Sequence, residues 1–168
     1  MLTLRLMDEA AAQAIIAGRC PAGFCCAPDY PAEGDRVAAQ MFLERCSAGV
    51  DPRPFGAFLI CLRSDARQPA EGESDGLVIG GIGFHGGLDE HGAVEIGYGV
   101  VASAQGVGHA TEALGQLISQ ARLLGVRSLT AETDPENAAS QAVLAHHGFV
   151  NLGADERTLC FGLVLGER

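Results

Sequence analysis

Basic residues are scarce in this chain, 11 against 21 acidic ones, for a formal net charge of −10 over 168 residues. A surface of that sign repels phosphate-rich polymers and anionic lipid, which argues against generic nucleic-acid or membrane-surface binding and favours cationic acceptors such as amines. Also missing is any apolar run long enough to span a bilayer. The start, Met1 to Leu6 and then the acidic pair Asp8-Glu9, lacks the basic-then-apolar order of a secretion signal, so a soluble cytoplasmic protein is expected. No internal repeat is evident. Cysteines are present, Cys20, Cys25, Cys26, Cys46, Cys61 and Cys160, but no C-x-x-C pair is matched by a second pair or by histidines at zinc spacing. They are expected to be reduced thiols, Cys61 and Cys160 as small core residues in strands and Cys25-Cys26 in an accessible connection. No metal is expected.

What is present is apolar content of 48%, enough for one domain with a real core over residues 1–168. Leu2 to Leu6 alternates like a strand, and Glu9 to Gly18 is alanine-rich and helix-like. Pro21 to Gly34 carries three prolines and cannot hold regular structure, and a second helix runs from Asp35 to about Ser47. Phe55 to Leu62 and Leu77 to Phe84 read as strands joined by a polar, mobile hairpin loop over Ser64 to Gly76. Val94 to Val101 is strand-like and hands over to Gln105-Gly106-Val107-Gly108-His109-Ala110. Ala113, Leu114, Leu117 and Ala121 then recur at helical spacing up to Gly125. Val126 to Thr133, Phe149 to Gly153 and Thr158 to Leu165 complete a mixed, mostly antiparallel α/β fold (α+β) of six or seven strands with about four helices.

A glycine turn that opens a helix presents unpaired N–H groups and the positive end of the helix dipole to one point, which suits a diphosphate. The same turn also caps helices that bind nothing. No Gly-Lys-Ser/Thr follows the glycines, so this is not a Walker loop. Nor does it have the three spaced glycines of a dinucleotide fingerprint.

Gln105, Gly108 and Ala110 resemble the acetyl-CoA signature of the GNAT N-acetyltransferase family, which is Gln or Arg, two residues, Gly, one residue, then Gly or Ala. The resemblance continues through Glu95-Ile96-Gly97-Tyr98 and through Asn137, Ser140, Leu144 and Gly148-Phe149, in the order of the branch that includes ribosomal-protein N-terminal acetyltransferases. It covers residues 76–165 well and the N-terminal part in outline. It implies a GNAT-like fold, acetyl-CoA as co-substrate and a primary amine or protein N-terminus as acceptor, with a homodimer conceivable. The connection between the first two helices would form one wall of the acceptor pocket. Main-chain groups of Val100, Val101 and Ala102 would hold the pantetheine arm, with an oxyanion-stabilising N–H near Val100. Gln105, Gly106, Val107, Gly108, His109 and Ala110 would hold the diphosphate. Asn137 would bind the arm, and Ser140 would stand near the sulfur, where it helps protonate the departing thiolate.

Glu95, a carboxylate in an apolar strand, is the first choice for the base that takes the amine's proton; the bland alternative is an exposed strand end. His85 is second and Glu132 third. The tyrosine acid that many relatives place seven residues after the asparagine is here Leu144, and Tyr98 is expected on the strand face opposite Glu95. His91 reads as surface, and His146-His147 as structural at a helix end. The alternatives to catalysis of acetyl transfer are a non-catalytic acyl-CoA-binding or sensor domain and a transferase of a longer acyl group.

Overall fold

The alternating Leu2-Thr3-Leu4-Arg5-Leu6 forms β1 (Leu2–Leu6), an edge strand paired antiparallel with β3 (Ala57–Leu62). These elements come from a computed structural model that describes residues 1–63 and 76–166. Helix α1 (Glu9–Ile16) starts where the Asp8 carboxylate accepts from Ala11 N at 2.7 Å, a helix cap, and it buries Ala12 and Ile15. Helix α2 (Glu33–Ser47) begins two residues before its sequence-expected start, because the Asp35 carboxylate reaches back to accept from Ala32 N at 2.9 Å.

Strands β4 (Leu77–His85) and β5 (Ala93–Val100) form the centre of the sheet. Its order is β1-β3-β4-β5-β6-β8-β7, with β6 (Ser128–Thr133), β7 (Val150–Ala154) and β8 (Leu159–Val164). Along that path every pairing is antiparallel except β5 with β6, which run parallel because α3 (His109–Leu123) crosses over between them. Helix α3 lays Ala113, Leu114, Leu117 and Ala121 against the sheet, all fully buried. Each leucine there contributes roughly 1.5–3 kcal/mol. Helix α4 (Ala138–His146) packs beside α3, held there by His147 Nε2 on the Thr111 carbonyl at 2.8 Å. Helices α1 and α2 cover the other face.

Two expectations need correcting. The Pro21 to Gly34 segment is not wholly irregular, since Cys25–Cys26 form a short strand, β2, parallel to β4, which brings the sheet to eight strands. Cys20 and Cys26 are also joined in a disulfide, where thiols were expected. Pairing with Val78 and the turn after α1 bring two cysteines six positions apart within bonding reach, a juxtaposition fixed by tertiary structure. Apart from Gly76, the expected Ser64 to Gly76 loop lies outside the described residues.

Candidate active site

The turn before α3 consists of a single 3-10 turn, Ala102–Ala104, followed by Gly106 and Gly108 at φ of +80° and +88°, backbone that only glycine adopts cheaply. A methyl group built on either glycine meets nothing within 4 Å, so the turn is an open cradle. Helix α3 has no side-chain cap. The amides from Gly106 to Thr111 donate to no described residue, leaving a row of donors at the positive end of a helix of 15 residues. His109 opens this helix, half-buried, and Val107 stands exposed beside it. Gln105 instead points back into the protein, its side-chain amide donating to the Val100 carbonyl at 2.8 Å. From the other side Asp29 braces the cradle, accepting from Ser103 N at 2.9 Å and from the Ser103 hydroxyl.

Strands β5 and β6 stay in register only from Ala93 opposite Ser128 to Ile96 opposite Ala131. Beyond that point they part. Val101 N donates to the Ile79 carbonyl at 2.9 Å, so in the antiparallel ladder the alternate residues Gly99, Gly97 and Glu95 also turn their main-chain groups toward β4. Tyr98 and Val100 therefore turn theirs toward the gap that β6 has left. This places a free strand-edge donor and acceptor at Tyr98 and a free N–H at Val100, whose carbonyl accepts from Gln105, whereas the Val101 N–H is already committed.

On the α2 side of the sheet the ladder pairs Gly81 with Gly99, Gly83 with Gly97 and His85 with Glu95, so all six residues share one face. Four glycines make a bare floor. At one end the His85 ring lies over Gly97, within 2.5 Å of where a Cβ would stand, and His85 Nδ1 lies 3.2 Å from Glu95 Oε1. Above the floor is a cavity of about 580 Å³ whose walls include Asp35, Met41, Phe42 and Glu132. The structure thus joins the first and second sequence candidates for the base into one pair and sets Glu132 on the same cavity.

The opposite face carries Tyr98, as its register requires. Its hydroxyl shares a hydrogen bond of 3.0 Å with Ser140 Oγ and donates to the Ser140 carbonyl at 3.2 Å. Burial raises the Tyr98 phenol above its ordinary range, with the Ser140 bond opposing. Asn137 caps α4, its Oδ1 accepting from Ser140 N at 3.0 Å. Glu95 and Ser140 stand on opposite faces of β5, either side of the gap, with Tyr98 and Glu95 both lining the cavity. Cys61 is fully buried, as its strand pattern implies, but Cys160 is half-exposed opposite Glu132, and desolvation followed by the nearby carboxylates raises its thiol above the usual range. Cys160 is held in its poorly nucleophilic form.

Two features were missed from sequence. The Tyr98–Ser140 contact spans 42 positions, and only the alternation of β5 hinted at it. Asp35, read as a helix start, proves to be a buried carboxylate in the cavity wall, 9% exposed. Among the described residues no group of three His, Cys, Asp or Glu is placed to hold a metal ion, and no helix is long and apolar enough to cross a membrane.

The architecture matches solved structures along nearly its whole length. YncA from Salmonella typhimurium, solved with its cofactor acetyl-CoA, is 21% identical, with 99% of this chain and 95% of that one covered and a TM-score of 0.59. RimL, the ribosomal L7/L12 alpha-N-protein acetyltransferase, solved with coenzyme A, is 20% identical over 97% of this chain and 93% of its own, with a TM-score of 0.64. At these identities the likeness is one of fold. A curated relative, the uncharacterized N-acetyltransferase YjdG of Bacillus subtilis strain 168, is 36% identical over 74 residues, a match that spans 44% of each chain. The model of the acetyltransferase (GNAT) domain matches residues 1–150, and the chain belongs to this family.

Proposed function

We propose that the chain, acting as one domain over residues 1–168, moves an acetyl group from acetyl-CoA to a primary amine by direct attack on the thioester. The observation that carries this reading is the parting of β5 from β6 beside an open, glycine-lined helix start, with a His85–Glu95 pair on one face of β5 and a Tyr98–Ser140 pair on the other. The cradle fits the co-substrate, because its amides lack partners and no side chain fills it. Gly106 to Ala110 hold the diphosphate by main-chain N–H groups, with Gln105 fixing the turn and Asn137 beside the arm. The free strand edge at Tyr98 holds the pantetheine amides as an added strand would.

The chemistry divides between the two faces. The amine nitrogen attacks the thioester carbonyl carbon from the cavity side, and its proton passes to the His85–Glu95 pair, which acts as one base. The N–H of Val100 receives the charge that develops on the carbonyl oxygen, a contribution of about 3 kcal/mol. The C–S bond then breaks, the electron pair leaves with sulfur, and the Tyr98–Ser140 hydroxyl relay returns a proton to the thiolate. No covalent enzyme intermediate forms. Use of acetyl-CoA as co-substrate supports a cytoplasmic location.

Free thiol release from acetyl-CoA with a panel of primary amines tests the reading. Amine-dependent release is expected. Acetyl-CoA binding without release from any amine would make this a binding or sensor domain, and a larger thermal shift with propionyl- or succinyl-CoA than with acetyl-CoA would make it a transferase of a longer acyl group.

A further inference from the structure

On the proposed transferase reading, the cavity above the glycine floor must also hold the acceptor, and its charges are one-sided. Carboxylates of Glu33, Asp35, Glu95 and Glu132 line it, against the single guanidinium of Arg45 among the described residues, which donates to the Phe55 carbonyl at 3.4 Å. Asp35 is divided in its use. Oδ2 caps α2 through Ala32 N, while Oδ1 points down at the floor, 3.1 Å from where a Cβ on Gly81 would stand. Any side chain at Gly81 would crowd that oxygen. The hydroxyl of Tyr30, buried near Asp35, has no hydrogen-bond partner.

Distances along the ladder then relate the two ends. The His85 ring lies over Gly97, which faces Gly83, and Asp35 Oδ1 lies over Gly81, two residues further along the same strand and face. Two strand residues span about 7 Å. Val37, Met41 and Phe42 of α2 supply apolar wall between these ends.

We propose that Asp35 is the specificity residue for the acceptor, binding the second ammonium of a short aliphatic diamine whose first amine is presented to His85 and Glu95. The methylene chain lies over the glycine floor against the α2 wall, and the carboxylate is buried for a cation to neutralise. Burial holds the Asp35 carboxyl up at about 6, with the Ala32 bond opposing, so the site is charged at neutral pH.

The test compares cadaverine with hexylamine, in which a methyl group stands in place of the second ammonium, by thiol release at saturating acetyl-CoA. Wild-type protein is expected to prefer cadaverine in kcat/KM by about 10- to 100-fold, the worth of a charged hydrogen bond. Asp35→Asn, which keeps an oxygen to cap α2, is expected to erase that preference, chiefly by raising KM for cadaverine rather than by lowering its kcat. Equal use of the two amines by wild-type protein, a comparison that needs no variant, overturns the proposal and leaves the transferase reading standing. So does an Asp35→Asn variant that loses activity equally with both. Absence of release with every amine overturns both readings at once.

Discussion

Asp35 illustrates how a single residue can be kept against its own effect on stability. Burial disfavours the charged form and pushes its folded carboxyl up to about 6, above the ordinary value of 3.8. The sign follows from linkage: its contribution to stability is fully present below about 4 and is lost as pH rises through about 6. At neutral pH the ionised side chain therefore destabilises the fold. Asp35→Asn is expected to raise Tm at pH 8 by roughly 2–4 °C and to leave it unchanged near pH 4. Thermal melts at the two values decide the matter. A variant that melts lower at pH 8 would mean that the cap on Ala32, rather than the buried charge, governs this position. A group retained at such a cost is the pattern expected of functional residues.

At the scale of elements, the proposed chemistry is divided between β4 and β5, one supplying His85 and the other Glu95. Because the two side chains touch across the ladder, they are expected to fail together. His85→Gln and Glu95→Gln should each lower kcat by about 100-fold or more, and the double variant should cost little beyond the worse single. The readout is kcat by thiol release with acetyl-CoA affinity unchanged; losses that multiply would show two independent groups. The strands themselves were legible in the sequence to within one or two residues, because β1, β4 and β5 declare their faces by alternation and α3 by its helical spacing. The glycine turn was legible for the same local reason. What could not be read was any feature depending on which strands meet. The two-residue β2 exists only by pairing with Leu77 and Val78, and the parting of β5 from β6 leaves no mark in either strand. The contact of Tyr98 with Ser140 needs α4 docked on the sheet. Asp35 was correctly placed at a helix start, yet its second oxygen serves the cavity through Gly81, 46 positions away.

Over the whole molecule the sheet works as a partition with a slot in it. On the proposed reading, helices α1 and α2 build the acceptor side, α3 and α4 the side of the departing sulfur, and the slot between β5 and β6 lets one carbonyl carbon be reached from both. The connection after α1 ties these parts together. It holds the Cys20–Cys26 disulfide, pairs with β4, and through Asp29 grips Ser103 just before the cradle. The acidic surface adds a long-range attraction for cationic acceptors that weakens with salt. All of this depends on the coenzyme's diphosphate being held by the bare amides that precede and open α3. Calorimetric titration of acetyl-CoA and of S-acetylpantetheine, which lacks the diphosphate, into wild-type protein and Gly108→Val addresses that directly. The account predicts that the variant weakens acetyl-CoA binding by about 10- to 100-fold, the worth of charge-assisted hydrogen bonds, and binds S-acetylpantetheine as wild type does. Equal acetyl-CoA affinity in the two proteins would contradict it.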